Sequence, residues 1–239
     1  MNRYLVVFLV LWVITMTATS RAEILFESGT LGPTGLAQGS VAATNITHNV
    51  FTGVRFQLTQ PVITAQVGGH FVDMANGTFF GAIVALDDEN DFPDSGDLST
   101  PDVLGAADLT FPVPSAEVSG DLELSLDPGW YALVFGSGLF GTNGDGAAPL
   151  NNPDIGSPTY IGWQVGDGWL NLSTLSTIFR DQRFVLLGTV VPEPASCAFL
   201  ILAALLSSFG RTKPSGEGRC IPLPVRRPNS MQLRRKLIE

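Results

Sequence analysis

From Phe51 to Thr59 the chain reads FTGVRFQLT, with Val54, Phe56 and Leu58 alternating against Arg55, Gln57 and Thr59. That two-residue period predicts a half-buried β-strand. Val118 to Leu126, VSGDLELSL, alternates again and turns Leu122, Leu124 and Leu126 inward. Thr78 to Leu86, TFFGAIVAL, is apolar at nearly every position and fits a strand buried on both faces. The turn Asp127-Pro128-Gly129 leads into WYALVF, Trp130 to Phe135. Tyr160 to Val165 and Trp169 to Leu172 flank Gly166-Asp167-Gly168, a hairpin signal. Phe184 to Val190 reads as the closing strand. Twenty-six glycines and 16 prolines supply turns. No long helical period interrupts this pattern, and no repeat at solenoid or propeller spacing appears. The prediction is an all-β fold, a two-sheet β-sandwich of jelly-roll type, spanning residues 23–190.

Both flanks of that domain are patterned differently. Residues 1–22 read MNRYLVVFLVLWVITMTATSRA: Arg3, then an apolar run from Tyr4 to Ile14, then mostly small or polar residues ending in Ser20 and Ala22. This is the layout of a secretory signal peptide, formed on a short apolar helix. After the domain, VPEPASCAFLILAALLSSFGRTK places Pro192-Glu193-Pro194 before sixteen nearly uncharged residues, Ala195 to Gly210, and then Arg211 and Lys213. As a helix the sixteen residues rise about 24 Å, against a hydrocarbon core of about 30 Å. Local bilayer thinning and snorkelling of Arg211 fit such a segment to a membrane, as a transmembrane helix. Pro192 and Pro194 bias the residues before them to extended geometry, so the collar is a stiff, accessible peptide.

Charge sharpens this division. Residues 23–190 hold nineteen acids, three arginines and no lysine, a net charge of −16. Residues 211–239 hold eight basic residues against Glu217 and Glu239, a net of +6. The whole-chain value of −9 conceals that asymmetry. A domain this acidic does not bind nucleic acid through phosphate contacts. The basic residues beyond the apolar segment read as a cytoplasmic stop, and residues 214–239 as a disordered basic tail. Cys197 lies in the apolar segment and Cys220 in the tail, so the domain has no disulfide, thiolate metal site or thiol nucleophile.

The C-terminal arrangement resembles the PEP-CTERM sorting signal of exported bacterial proteins. Its three parts correspond here to Pro192-Glu193-Pro194, Ala195 to Gly210, and Arg211 onward. The resemblance covers about the last fifth of the chain. It implies recognition by a membrane processing enzyme of the exosortase type and an association with exopolysaccharide production. It makes Pro192, Glu193, Pro194 and Arg211 the sorting residues, with the membrane entered through residues 195–210. The family pattern usually stops soon after its arginine cluster, whereas 29 residues run from Arg211 to Glu239 here.

Within the domain, three features carry candidate chemistry. ALDDENDFPDSGDLSTPD, residues 85–102, is the densest acidic stretch. Asp87, Glu89, Asp91 and Asp94 are candidate calcium ligands, because calcium takes six to eight oxygens from a flexible loop. The EF-hand pattern fails, since Phe92 and Leu98 stand where Gly and Glu belong; the alternative is a solvated loop of Asx turns. Trp169 is a candidate sugar platform. With a two-residue Asp167-Gly168 turn it lies on the polar face with Gln164 and Asn171; with a three-residue turn it joins Trp163 and Val165. Core packing is the competing expectation for it. Residues 138–156, GLFGTNGDGAAPLNNPDIG, read as a long surface loop and binding rim. Of two histidines, His48 and His70, the latter stands in VGGHFVD and reads as structural. No nucleophile elbow, HExxH or phosphate loop is present.

The expectation is an exported, non-enzymatic cell-surface or exopolysaccharide-matrix protein. A carbohydrate-binding module using Trp169 and the 138–156 loop is the alternative, and a glycan-acting hydrolase with paired carboxylates ranks third.

Overall fold

The computed structural model describes residues 22–191. The signal-like segment up to Arg21, the Pro192-Glu193-Pro194 motif, the apolar stretch 195–210 and the basic tail lie outside them. Among the described residues no helix is long and apolar enough to cross a membrane. The fold is all-β, two antiparallel sheets with a single helical turn at Leu172–Leu175 and a 3-10 turn at Thr177–Phe179.

The first sheet contains β1 (Glu23–Glu27), β2 (Ala43–Ile46), β4 (Val62–Asp73), β7 (Ala116–Asp121), β8 (Ser125–Leu126), β10 (Gly146–Pro149) and β13 (Phe184–Val190). Its order is β1-β13-β4-β10-β2, and the twelve-residue β4 also pairs with β7 and β8. The second sheet contains β3 (Val50–Leu58), β5 (Thr78–Leu86), β6 (Val103–Thr110), β9 (Gly129–Gly136), β11 (Thr159–Gln164) and β12 (Gly168–Asn171), in the order β12-β11-β3-β9-β5-β6.

The inward-facing positions of the two sheets meet in one core. Val67, Phe71, Phe184 and Leu186 come from the first sheet; Val54, Phe56, Phe79, Ile83, Leu133 and Phe135 come from the second. Phe135 stacks on Phe184 at 5.0 Å between ring centroids and meets Phe71 at 4.9 Å. The alternation expected in FTGVRFQLT places Val54, Phe56 and Leu58 in this core.

Three expectations need correction. Val118 to Leu126 is not one strand. β7 ends at Asp121; beyond it Leu122 N donates to Ala65 O and Thr64 N to Leu124 O, while the Thr64 hydroxyl donates to Leu122 O and accepts from Leu124 N. Leu122 and Leu126 are still buried. Residues 138–156 are not wholly a surface loop, because β10 within them is buried along its length, as is Asn152. β4, absent from the strands expected, is the longest of all. Its Gly68-Gly69 pair weakens the strand pattern, yet both glycines sit where neighbouring strands leave no space for a Cβ.

Candidate functional site

The outer faces of the two sheets differ, and the candidate residues divide between them. On the second sheet the outer face is apolar: Phe51, Phe80, Ala82, Val84, Leu86, Ala132, Val134 and Ile161 form a second buried cluster. This explains why β5 is apolar on both faces. The cover is the acidic stretch itself. Leu98 is 3 % exposed within the cluster, and Phe92, Trp163 and Trp169 pack against it.

Arg55 holds that cover in place. It projects from the outer face of β3 yet is only 4 % exposed. Its guanidinium donates from Nη1 to Glu89 O at 2.9 Å and from Nη2 to Asn90 O at 3.0 Å, and lies 4.1 Å from the Phe92 ring centroid. Burial lowers the Arg55 pKa, opposed by the charges of Asp91 and Asp88. Four carboxylates of the stretch, those of Asp88, Asp91, Asp97 and Asp102, are engaged with backbone. Asp91 accepts from the N–H groups of Asp87 and Phe92, Asp88 from Asn90 N, and Asp102 from Asp94 N. Asp97 accepts from the Ser99 hydroxyl and N–H; hydrogen bonds from Ser99 and Ser95 lower its pKa. Asp87, Glu89, Asp91 and Asp94 thus stand along one loop of Asx turns. Among the described residues no three His, Cys, Asp or Glu side chains converge into a metal-holding group.

The hairpin of β11 and β12 pairs Gln164 with Gly168 and Trp163 with Trp169. The loop between them therefore holds three residues, Val165-Gly166-Asp167, and the two-residue register is corrected. Trp169 shares a face with Trp163 and Asn171, while Gln164 is on the opposite face. Trp163 stacks on Phe51 at 4.8 Å, and Trp169 Nε1 donates to Ser95 O at 3.2 Å. The acidic stretch reaches this pair through Gly96. A Cβ there would lie 2.1 Å from Trp163 Nε1, so only glycine permits the approach. The three proposed sugar contacts are not assembled on one open face: Trp169 is half-buried under the cover and Gln164 points away from it.

Among the described residues the outer face of the first sheet is partly open. A shallow groove of about 320 Å³ runs beside Ile24, Val185 and Leu187, with Glu117, Ser119 and Arg183 on its polar side. A second, of about 430 Å³, is lined by Ile63, Thr189, Asp121 and Glu123 among others. At one end of this face lies a polar network that the sequence did not announce. Arg183 donates to Glu117 Oε1 and Glu27 Oε2, each at 2.7 Å, and to Gly29 O. It thereby ties the start of β13, which it immediately precedes, to β7 and β1. Burial works against the Arg183 cation, and its hydrogen bonds with Glu27 and Glu117 outweigh that, so its pKa is raised.

His70 sits between these partners. It pairs with Glu117 on β7, and its N–H donates to the O of Arg183, the residue before β13. The ring is 0 % exposed, with Nδ1 2.8 Å from Asn152 Oδ1. Asn152 Oδ1 also accepts from Gly32 N, so the histidine is held under the segment that follows β1. A neutral imidazole with its proton on Nδ1 fits an amide oxygen acceptor. The nearby hydroxyls have other partners: Ser28 donates to Gln182 O, and Tyr160 Oη lies 2.7 Å from both Asp154 Oδ1 and Gln182 O. Burial first, then Asp154, raises the Tyr160 pKa. Among the described residues no hydroxyl is hydrogen-bonded to His70.

Burial depresses the His70 pKa below the usual 6.5; the Asn152 hydrogen bond and Glu117 oppose this, and Arg183 adds to it. Linkage sets the sign. Below pH 6.5 the unfolded chain takes up a proton at this residue that the folded chain refuses, so stability falls with pH until the folded pKa is reached. His70→Gln keeps a donor for Asn152 and removes the titration. Its stability is expected to decline less than that of the native chain between pH 7 and 5, measured by urea denaturation. Parallel curves would contradict this.

No protein-family model matches the chain, and no curated protein matches it significantly.

Proposed function

We propose that this chain is an exported, non-enzymatic protein of the cell surface or extracellular matrix. Its acidic sandwich is carried to the envelope by the N-terminal signal and sorted by the C-terminal segment. One observation carries the reading. β1 is paired antiparallel with β13, with Glu23 opposite Gly188. The first and last strands of the domain thus lie side by side, with the residues nearest both flanks at the same end. A signal joined before Glu23 and a sorting segment joined after Val190 both attach at that end of the domain.

Surface chemistry supports the same reading. Of three arginines in the domain, Arg55 and Arg183 are buried and only Arg180 is exposed, so the accessible charge is almost wholly negative. Such a surface is soluble, self-repelling and repelled by polyanions. The strand order supports the finer assignment to a jelly roll: β1-β13-β4-β7 faces β3-β9-β5-β6, four strands against four with crossing connections. In this reading an exosortase-like enzyme recognises Pro192-Glu193-Pro194 while residues 195–210 hold the membrane and Arg211 marks its cytoplasmic side. The processed domain then joins the surface or a polysaccharide matrix.

The test is the intact mass of native protein from surface, medium and membrane fractions. A surface or medium product that begins near Glu23 and ends near Pro192 to Pro194 is expected. A membrane-bound chain retaining Ala195 to Glu239 as the sole form would overturn the processing step and leave a permanent anchor.

A further inference from the structure

The chain contains two Asn-Gly steps, Asn76-Gly77 and Asn143-Gly144. The fold brings their loops into contact: Met74 N and Ala75 N donate to Asp145 O, and Gly144 N donates to Thr78 O at 2.7 Å. A Cβ on Gly77 would lie 2.7 Å from Gly144 Cα. Asn76 and Asn143 are both exposed, and neither side-chain amide is hydrogen-bonded among the described residues. Their backbones differ. The Gly144 N–H is committed to Thr78 O, whereas neither the Gly77 N–H nor the Asn76 C=O has a hydrogen-bond partner among the described residues. The Gly77 nitrogen therefore has no hydrogen bond to give up before it attacks, and the glycine adds no Cβ to hinder approach.

We propose that Asn76 is a site of spontaneous deamidation and backbone isomerisation, and that the fold protects Asn143 from the same reaction. The Gly77 nitrogen attacks Asn76 Cγ. A bond forms between them, the Cγ–Nδ2 bond breaks, and Nδ2 leaves as ammonia with the proton surrendered by Gly77 N. Water then opens the cyclic imide. Cleavage at Cγ yields aspartate; cleavage at the backbone carbonyl yields isoaspartate. Water is the sole co-reactant and nothing is oxidised or reduced. At Asn143 the attacking nitrogen must first lose its hydrogen bond to Thr78 O, which slows the step by about tenfold. Either product adds a carboxylate beside Asp73 and Asp145, and isoaspartate also lengthens the backbone by one methylene where the two loops touch. The chemistry does not depend on where the protein is delivered.

The experiment incubates the full chain in mildly alkaline buffer, folded and, in parallel, unfolded in guanidinium. Peptic digestion at acid pH and mass spectrometry then follow both asparagines. In the folded chain Asn76 is expected to convert about tenfold faster than Asn143, giving aspartate and isoaspartate together; in the unfolded chain the two rates are equal. Asn76→Gln removes the fast reaction, and Asn143→Gln leaves the rate at Asn76 unchanged. Equal rates in the folded chain, a faster Asn143, or an Asn76 that stays intact while the unfolded chain converts would each overturn the proposal.

Discussion

Arg55→Ala is expected to destabilise the domain by about 3 kcal/mol and to loosen the acidic cover from the second sheet. Two hydrogen bonds from a charged donor are lost, worth about 1 kcal/mol each once the exposed Glu89 and Asn90 carbonyls rehydrate. The contact with the Phe92 ring adds about 1 kcal/mol. The aliphatic stem also leaves a site where the residue was 4 % exposed. For a domain of this size the loss corresponds to a Tm lower by about 6–12 °C. A second readout separates the cover from the sandwich. Trp163 and Trp169 lie under or against the cover, so their fluorescence is expected to shift to the red before global unfolding. Arg55→Lys keeps the charge but loses the planar fork that reaches two carbonyls at once, so it falls between the native chain and the alanine variant. An unchanged Tm with unchanged emission would mean that the acidic stretch stays in place without Arg55.

Phe135→Ala is expected to cost more, about 3–5 kcal/mol, the range for deleting a fully buried aromatic side chain. Phe135 is 0 % exposed and touches Phe71 and Phe184 from the opposite sheet as well as Phe79 on its own. Its removal opens a cavity between the layers. Total stabilities of about 5–15 kcal/mol leave little reserve for that loss. The midpoint of urea unfolding should fall with little change in slope, because the same surface is exposed on unfolding. Ile178→Ala is the control: Ile178 is 66 % exposed, and its truncation is expected to stay within about 0.5 kcal/mol. A Phe135→Ala effect no larger than the control would show that the layers are not held by this aromatic cluster.

The two variants address separate parts of the fold. Phe135 tests the contact between sheets, which any sandwich requires. Arg55 tests a device particular to this chain, in which a buried cation secures an acidic loop as the second sheet's outer layer. The acids at 87–102 had two readings from their composition, a calcium cage or a solvated loop. In the structure the carboxylates of Asp88, Asp91, Asp97 and Asp102 accept from backbone N–H groups, while Phe92 and Leu98 between them supply the buried surface.

Part of this protein was legible residue by residue. Alternation in FTGVRFQLT placed Val54, Phe56 and Leu58 inside, because a strand's period of two leaves no other choice once one face is apolar. The double-sided apolarity of TFFGAIVAL correctly required cover on both faces. Charge separation along the chain, and the flanking segments that motivate the sorting proposal, are also properties of order and composition. Tertiary structure decided the rest. The β11–β12 register hung on a three-residue turn, and one residue of slip moved Gln164 to the face opposite Trp169. The Arg183 network joins residues as distant in sequence as Glu27 and Glu117, and Arg55 meets carbonyls more than thirty residues away. β4 hid behind two glycines whose reason is the closeness of neighbouring backbones. Local pattern reports which face of a strand avoids water; it does not report what arrives to cover that face, because that contact is made by chain remote in sequence.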